Sequence, residues 1–243
     1  MNKCKDVRKT AVITGASRGI GLAIANKFRS EGFEVYGMCR TQEALEESSK
    51  LDFSMNKFDF LLEADVIDAQ RFVEKVNPSV LINNAGINKI SPFLEISLDD
   101  FTDVQRVNLM APFLMSQSAV RGMLGFGYGR IVNIASIWGI ISKAGRASYS
   151  ASKHGIHGLS LALAAEFSEA NILINSVSPG FVDTDLTRTS LSPREIEILC
   201  ATVPANRLAV PDEIADLVFF LGSHQNTFIA GQNIACDGGF CGI

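Results

Sequence analysis

The chain has 243 residues, 47% of them hydrophobic, and can therefore bury one substantial core as a single α/β domain spanning residues 1–243. Its 22 basic and 26 acidic residues give a formal charge of -4, which repels a polyanion, so no nucleic acid partner is expected. The apolar runs are too short to cross a bilayer and the five cysteines are scattered, so we expect a cytoplasmic protein with reduced thiols and no membrane partner.

Taken in chain order, apolar runs rich in β-branched residues alternate with helical stretches. This alternation predicts the α/β class, with one doubly wound (Rossmann) parallel sheet and helices on both faces. The strands are predicted at residues 10–14, 33–39, 57–60, 80–83, 129–135, 172–177 and 233–236. The helices are predicted at residues 19–30, from about Gln42, and at 98–121, 148–170 and 211–221. Residues 186–204 mix Thr, Ser and Pro with apolar residues, which predicts a mobile segment over a site.

A glycine-rich loop joins the first predicted strand to the first predicted helix. It occupies residues 14–21 and reads TGASRGIG, with glycines at Gly15, Gly19 and Gly21. Glycines let the chain turn sharply and let a diphosphate approach the backbone, and the start of a helix favours negative charge. The spacing differs from the dinucleotide fingerprint G-x-G-x-x-G, and a tight turn without a ligand is the alternative interpretation.

Two arginines bear on the choice of dinucleotide. Arg18 lies inside the glycine loop, and Arg40 follows the second predicted strand, where NAD-selective enzymes place an acidic residue against the ribose 2′-hydroxyl. Two guanidinium groups with no acid nearby can bind a 2′-phosphate through charge-assisted hydrogen bonds. NADP(H) is therefore predicted ahead of NAD(H), unless both arginines are ordinary surface residues.

A second set of residues suits proton transfer to a carbonyl group. Tyr149 and Lys153 are four residues apart on one predicted helix, so both side chains leave the same face. A nearby ammonium and an oxidised nicotinamide would favour the phenolate and lower a tyrosine pKa that is ordinarily about 10. Ser136 ends a predicted strand, where its hydroxyl could donate to a carbonyl oxygen as negative charge develops. A Tyr-x-x-x-Lys pair taken alone is more often a surface pair.

Read in order, these motifs resemble the short-chain dehydrogenase/reductase family over residues 10–240. The resemblance extends to the NNAG sequence at residues 83–86 and the DGG sequence at residues 237–239. It implies a catalytic tetrad of Asn108, Ser136, Tyr149 and Lys153. It also implies cofactor contacts that are spread over the motifs, namely Gly15, Ser17, Arg18, Gly19, Ile20, Gly21, Arg40, Asp59, Asn84, Ala85, Gly86, Tyr149, Lys153, Pro179, Gly180 and Thr184.

The resemblance implies a mechanism as well. NADPH would deliver a hydride to a carbonyl carbon, while Tyr149 would give its proton to the oxygen and Ser136 would polarise that oxygen. Lys153 would hold the nicotinamide ribose and lower the tyrosine pKa, and Asn108 would hold a water that resupplies protons. No metal ion is needed for these steps. The expected reaction is therefore the reduction of a carbonyl to a secondary alcohol.

The substrate is defined less sharply than the reaction. In length and in residues 204–215 the chain is most similar to the 3-oxoacyl-acyl-carrier-protein reductases, which implies a 3-oxoacyl group and an acyl carrier protein as partner. Those reductases carry basic residues where this chain has residues 125–129 and 169–171, with only Arg130 nearby. An acidic carrier would find little charge to steer it here. A soluble sugar-derived or polyol-type ketone is therefore an almost equal alternative.

Three further residues bear on the substrate pocket. Trp138 lies two residues after Ser136 and is either a pocket wall or plain core packing. Lys143 and Arg146 precede Tyr149 and could meet an anionic substrate, although a solvated surface position is the more common role for such a pair.

Two expectations concern the whole molecule. Relatives usually form tetramers by packing the helices predicted at residues 98–121 and 148–170 across two-fold axes, so we expect a homotetramer. A catalytically silent NADP-binding sensor or scaffold is a remote alternative, because a fold alone does not determine function. The intact tetrad argues against that alternative.

Overall fold

A computed structural model of the protein describes residues 8–242, apart from the side chain of Leu186. Its strands are β1 Thr10–Thr14, β2 Glu34–Cys39, β3 Ser54–Lys57, β4 Val80–Asn83, β5 Gly129–Ile134, β6 Ile172–Pro179 and β7 Asn233–Cys236. They form one sheet in the order β3-β2-β1-β4-β5-β6-β7, and every neighbouring pair is parallel. The predicted α/β class with a parallel sheet is confirmed.

Helices lie on both faces of this sheet, as predicted. They are α1 Gly19–Ser30, α2 Gln42–Glu47, α3 Glu63–Val76, α4 Leu98–Gln105, α5 Ala111–Phe126, α6 Ala147–Phe167, α7 Asp185–Ser190, α8 Pro193–Ala201 and α9 Pro211–Gly222. Helices α1 and α9 cover one face, and α3, α5 and α6 cover the other. Within residues 8–242, no helix is both long enough and apolar enough to span a bilayer.

Two hydrophobic cores hold the helices against the sheet. On the α1 and α9 side, the ring of Phe28 lies 5.1 Å from the rings of Phe33 and Phe219, edge to face in both cases. On the other side, Met115 and Ile131 are among the fully buried side chains. Burying each such side chain contributes roughly 1.5–3 kcal/mol, so both helical layers are fixed against the strands that carry the loops.

The long helix predicted at residues 98–121 is continuous but irregular. A π-helical turn, Arg106–Met110, separates α4 from α5. Such turns insert one extra residue into an α-helix and occur often at functional sites. Asn108 lies inside this turn.

Three differences from the predicted elements concern one sheet edge and one long connection. Strand β3 begins at Ser54, three residues before the predicted start, because residues 54–57 are the ones that pair with β2. Helix α3 was not predicted, although its buried residues Val66, Ala69, Val73 and Val76 have helical spacing. Residues 186–204 contain most of α7 and all of α8 rather than an irregular segment, and their mobility stays a prediction.

The strand order places a crevice at the centre of the sheet. Strand β1 lies between β2 and β4, so the chain moves outward in opposite directions from β1. In such sheets, ligands bind outside the carboxyl ends of the strands at this reversal. The loops that follow β1, β4, β5 and β6 therefore frame the candidate site.

Candidate active site

The glycine-rich loop after β1 is shaped by two left-handed glycines. Gly15 has φ +66° and Gly19 has φ +54°, a conformation that side-chain-bearing residues rarely adopt. Gly21 has a different constraint, since a Cβ there would lie 2.1 Å from the carbonyl oxygen of Gly15. The spacing G-x-x-x-G-x-G therefore reflects a loop folded back tightly on the first turn of α1.

Side chains at the ends of β1 and β4 hold this loop. Asn84 Nδ2 donates to the carbonyl oxygens of Thr14 and Gly15, both at 3.0 Å. The Thr14 hydroxyl accepts from the amides of Asn84 and Ala85 at 3.0 and 2.9 Å. The glycine loop and the loop after β4 therefore form one rigid unit at the reversal of strand order.

The start of α1 presents unpaired main-chain donors. Arg18 occupies the N-cap position but its side chain makes no capping hydrogen bond, and the first turn contains no acidic residue. The first N–H groups of a helix have no partner within the helix and attract negative charge. Ser17, Gly19 and Ile20 lie at this helix start, which suits a diphosphate.

Arg18 and Arg40 lie at neighbouring strand ends and both are exposed. Arg18 is in the loop after β1, and Arg40 directly follows β2, which pairs with β1. Neither guanidinium forms an ion pair or a side-chain hydrogen bond with another residue of the range 8–242. Both charges are therefore available to an anionic ligand such as a 2′-phosphate.

Asp59 follows β3 and is half-buried. Its Oδ1 accepts from the amide of Leu61 at 3.0 Å, while its own amide donates to Asp65 Oδ2 at 2.8 Å. This turn fixes the carboxyl group just ahead of α3. Among residues 8–242, no hydrogen bond to the second carboxylate oxygen of Asp59 is found, and its role in cofactor binding stays a prediction.

The loop after β6 closes the other side of the crevice. Pro179 ends β6, and a Cβ at Gly180 would lie 2.7 Å from the Cα of Asp237, so only glycine allows this approach. Thr184 caps α7 and lies close to the glycine-rich loop on the other side of the crevice. A Cβ added at Gly19 would lie 3.5 Å from the methyl group of Thr184. A cavity of about 340 Å³ opens between α1, α7 and α9 at this point.

Ser136 and Tyr149 are brought together, as the sequence predicts. Ser136 lies just beyond β5 and caps the short turn that follows, where its Oγ accepts from the amide of Trp138 at 3.2 Å. It also hydrogen-bonds the phenol of Tyr149, which is in the first turn of α6. Burial raises the pKa of Tyr149, while Ser136 and the nearby Arg146 guanidinium lower it. The net effect is a raised pKa, so the phenol is protonated at neutral pH.

Lys153 is one turn further along α6 and is only 4% exposed. Its Nζ lies 5.5 Å from the ring centroid of Tyr149 and donates to the carbonyl oxygen of Ile134 at 2.7 Å. Burial lowers the pKa of this ammonium to about 8. A Cβ at Gly86 would lie 3.6 Å from Nζ, so the loop after β4 also touches the lysine.

Asn108 is buried and its side chain is committed to the loop after β4. Its Oδ1 accepts from the amide of Ile87 at 2.8 Å, and its Nδ2 donates to the carbonyl of Ile87 at 2.9 Å and to Ser152 Oγ at 3.0 Å. Both Nδ2 hydrogens are therefore occupied. The geometry makes Asn108 a clamp on the segment next to Gly86, and its water-holding role stays a prediction.

Sequence reasoning missed a buried polar network beneath these residues. Asn133 on β5 accepts from Asn83 at 2.8 Å and donates to Ser160 at 2.8 Å, and Ser160 in turn lies 2.8 Å from Ser176. Asn83, Asn133 and Ser176 also occupy one register row across β4, β5 and β6. The signal in the sequence was the presence of polar residues within or at the end of otherwise apolar strands, because a buried polar side chain requires a partner.

Arg146 differs from its expected position. A solvated surface residue was favoured over one that meets an anionic substrate, but Arg146 is half-buried and its charge acts on the hydroxyl of Tyr149. Lys143, by contrast, is exposed as expected. Trp138 lies between these two cations and two phenylalanine rings rather than in the core.

Comparison with known proteins gives a consistent pattern. The family described as short chain dehydrogenase matches residues 9–195. A 3-oxoacyl-(acyl-carrier-protein) reductase of Buchnera aphidicola is 36% identical over 240 residues, covering 96% of this chain and 97% of the relative.

Two solved structures extend the pattern to other substrates. One, described as an NAD(P)-dependent gluconate 5-dehydrogenase from Beutenbergia cavernae with bound NADP, has a TM-score of 0.88 and 34% identity, with 97% of each chain covered. The other, a 4-hydroxyisoleucine dehydrogenase complexed with NADH, also has a TM-score of 0.88 and 34% identity, and covers 96% of this chain and 98% of its own.

Proposed function

This chain belongs to the short-chain dehydrogenase family, and we propose that it catalyses the NADP(H)-dependent reduction of a ketone to a secondary alcohol. One observation carries the proposal. The phenol of Tyr149 is hydrogen-bonded to Ser136 and covered by Lys153, and Lys153 lies next to Gly86 in the loop after β4, which also holds the glycine-rich loop. The loop after β4 thus connects the proposed proton donor with the loop proposed to bind the dinucleotide.

The residues fit a dinucleotide with an additional phosphate. The unpaired N–H groups at the start of α1 would hold the diphosphate, and Arg18 and Arg40 would hold the 2′-phosphate. The ammonium of Lys153 would hold the ribose hydroxyls next to the nicotinamide. NADPH, when bound, supplies the hydride. The relatives include structures with NADP and with NADH, so the preference for NADP(H) rests on these two arginines.

Side chains of the protein would supply the proton for the substrate oxygen and would orient the substrate carbonyl. Ser136 and Tyr149 would both donate to the carbonyl oxygen of the substrate, which polarises the carbonyl and fixes its position. The Tyr149 proton would then move to that oxygen as negative charge develops on it. Because burial keeps the phenol protonated at neutral pH, Tyr149 already carries the proton that reduction requires.

A 3-oxoacyl thioester is one substrate class for this site, supported by the names of relatives such as the Buchnera aphidicola reductase. A small soluble ketone is the second candidate, and a specific observation favours it. Arg130, the one basic residue near the expected carrier-docking stretch, is 2% exposed and bonds the carbonyls of Gly129, Asn171 and Asn226. It therefore supplies no surface charge for an acidic carrier protein.

We also propose a homotetramer in the cytoplasm. Helices α4 and α5 and the turn between them expose large apolar side chains, which are Leu98, Phe101, Met110 and Phe113. Helix α6 buries Ile156 in the core but leaves Leu161 47% exposed. Exposed apolar patches of this kind mark interaction surfaces, and the two-fold packing of these helices would cover them.

The proposal is tested by following NADPH absorbance with a panel of ketones, with Tyr149→Phe as the matched variant. The phenylalanine retains the ring under Lys153 but has no proton to give, so turnover should fall by about 10²–10⁴-fold. NADPH affinity should change little. Unchanged turnover in Tyr149→Phe would refute the assigned role, and NADPH oxidation with none of the ketones would refute the proposed reaction.

A further inference from the structure

A group of aromatic side chains stands next to Ser136 and Tyr149. The rings of Trp138, Phe181 and Phe240 contact one another edge to face, with centroids separated by 5.1 to 6.4 Å. They come from three separate segments, which are the turn after β5, the loop after β6 and the end of the chain. All three are half-buried, so one side of this aromatic wall is open.

Two cations lie against the same wall. Lys143 Nζ is 5.2 Å and the Arg146 guanidinium 5.8 Å from the ring centroid of Trp138. Cations at such distances are attracted to the face of an indole ring. The indole therefore holds both charges near itself, and the charge of Arg146 also acts on the hydroxyl of Tyr149.

Arg146 lacks an anion. Its Nε is buried without a hydrogen-bond partner, and it forms no ion pair within residues 8–242. Burial lowers its pKa, and its main electrostatic neighbour is Tyr149, three residues further along and on the same side of the helix start. Charges that are partly removed from water are ordinarily paired, so the half-buried guanidinium of Arg146 is suited to bind an anion.

We infer that the substrate is an oxo acid whose carboxylate, a few bonds from the reacting carbonyl, is bound by Arg146 against the wall formed by Trp138, Phe181 and Phe240. The inference rests on the proposed function, because Ser136 and Tyr149 set the position of the carbonyl. The planar guanidinium matches the two oxygens of a carboxylate, and its partly desolvated position strengthens the pairing. Lys143, which is exposed, adds a second positive charge next to Trp138.

The two candidate substrate classes differ in whether they carry a negative charge near the reacting carbonyl. A 3-oxoacyl thioester brings no negative charge near its carbonyl and would cover Arg146 with neutral atoms. That arrangement would bury the charge of Arg146 without a partner, which disfavours binding. An oxo acid completes the pair, and neutral ketones of the same shape should therefore be poorer substrates.

The kinetic test compares 4-oxopentanoate with its methyl ester, which has the same ketone and no charge. Wild-type kcat/KM should favour the acid by at least about tenfold, as expected for a charged hydrogen bond. Arg146→Gln should bring the ratio of acid to ester close to one, and Arg146→Lys should restore part of it. Arg71→Gln, which removes an arginine charge from exposed α3, is the control and should keep the wild-type ratio.

The binding test does not depend on turnover. Trp138 is the only tryptophan in the sequence, so intrinsic fluorescence of the complex with NADP⁺ reports directly on this wall. Titration with 4-oxopentanoate should saturate at lower concentration than titration with the ester, and Arg146→Gln should abolish the difference. Equal binding of acid and ester, or no effect of Arg146→Gln, would overturn the inference even if ketones are reduced. Binding of the acid that depends on Arg146, without any ketone reduction, would instead overturn the proposed reaction.

Discussion

The ammonium of Lys153 lies over the face of the Tyr149 ring, 5.5 Å from its centroid, and is tied to the Ile134 carbonyl by a 2.7 Å hydrogen bond. The lysine is thus anchored to the end of β5 before any ligand binds. Its charge faces the ring of the tyrosine and the space next to Gly86. This arrangement buries a cation almost completely, and the protein must compensate for that cost elsewhere.

The first prediction concerns the pH dependence of stability that follows from this burial. The pKa of Lys153 falls from its ordinary 10.5 to about 8 in the folded protein. Below about pH 8 the lysine is charged in both states, so the full cost of burial is present. Between pH 8 and 10.5 only the unfolded chain retains the proton, and the free energy of unfolding rises by roughly 3 kcal/mol from this group.

Comparison with Lys153→Met isolates that contribution from other titrating groups. Urea unfolding without cofactor should show the stability of wild type relative to Lys153→Met increasing by about 3 kcal/mol from pH 7 to pH 10.5. Methionine has no charge to bury at any pH, although it loses the bond to Ile134. A difference between the two proteins that stays constant with pH would contradict the lowered pKa.

The second prediction concerns cofactor choice at Arg40. Arg40→Asp replaces an unpaired cation at the end of β2 with an anion that would repel a 2′-phosphate and accept from a 2′-hydroxyl. We expect KM for NADPH to rise at least about tenfold and the preference for NADPH over NADH to fall or reverse. Arg71→Asp is the control for charge reversal on a distant exposed helix. An unchanged preference in Arg40→Asp would exclude Arg40 from the phosphate site.

The third prediction compares two glycine substitutions. Gly21→Ala places a Cβ 2.1 Å from the Gly15 carbonyl and 2.5 Å from Asn84 Nδ2, so the glycine-rich loop must shift. We expect a loss of about 1–3 kcal/mol in the free energy of unfolding together with weaker NADPH binding. Gly125→Ala in α5 meets no atom within 4 Å and should gain about 0.5 kcal/mol without any change in NADPH binding. Normal NADPH affinity in Gly21→Ala would argue against the glycine-rich loop as the binding site of the cofactor diphosphate.

The fourth prediction concerns assembly. Phe113 on α5 is 46% exposed and belongs to the apolar surface proposed to pack between subunits. Phe113→Glu places a charge in that surface and should reduce the mass measured by light scattering from a tetramer to a smaller species. Ile67→Glu on α3, where the side chain is 42% exposed, is the control and should leave the mass unchanged. A wild-type monomer at micromolar concentration would refute the tetramer.

Parts of the fold were predictable because their determinants are local. Strand β1, helix α1 and strand β4 begin and end at the predicted residues, since buried apolar runs and the glycine loop mark their boundaries. Helix α8 carried an equally local signal that was overlooked, because Ser192 and Glu195 form a capping box and Pro193 opens the helix. Strand β3 was misplaced, since its register depends on pairing with β2, which no single segment contains.

The fold class and the identity of the candidate tetrad could be predicted from the sequence, because periodicity, loop chemistry and the order of motifs are properties of the chain. Only the packing of distant segments makes Arg146 half-buried beside Tyr149 and buries Arg130. Both outcomes depend on side chains that meet from distant segments, such as Trp138, Phe181 and Phe240. Burial and electrostatic coupling arise only once those segments are packed together, so no linear pattern contains them.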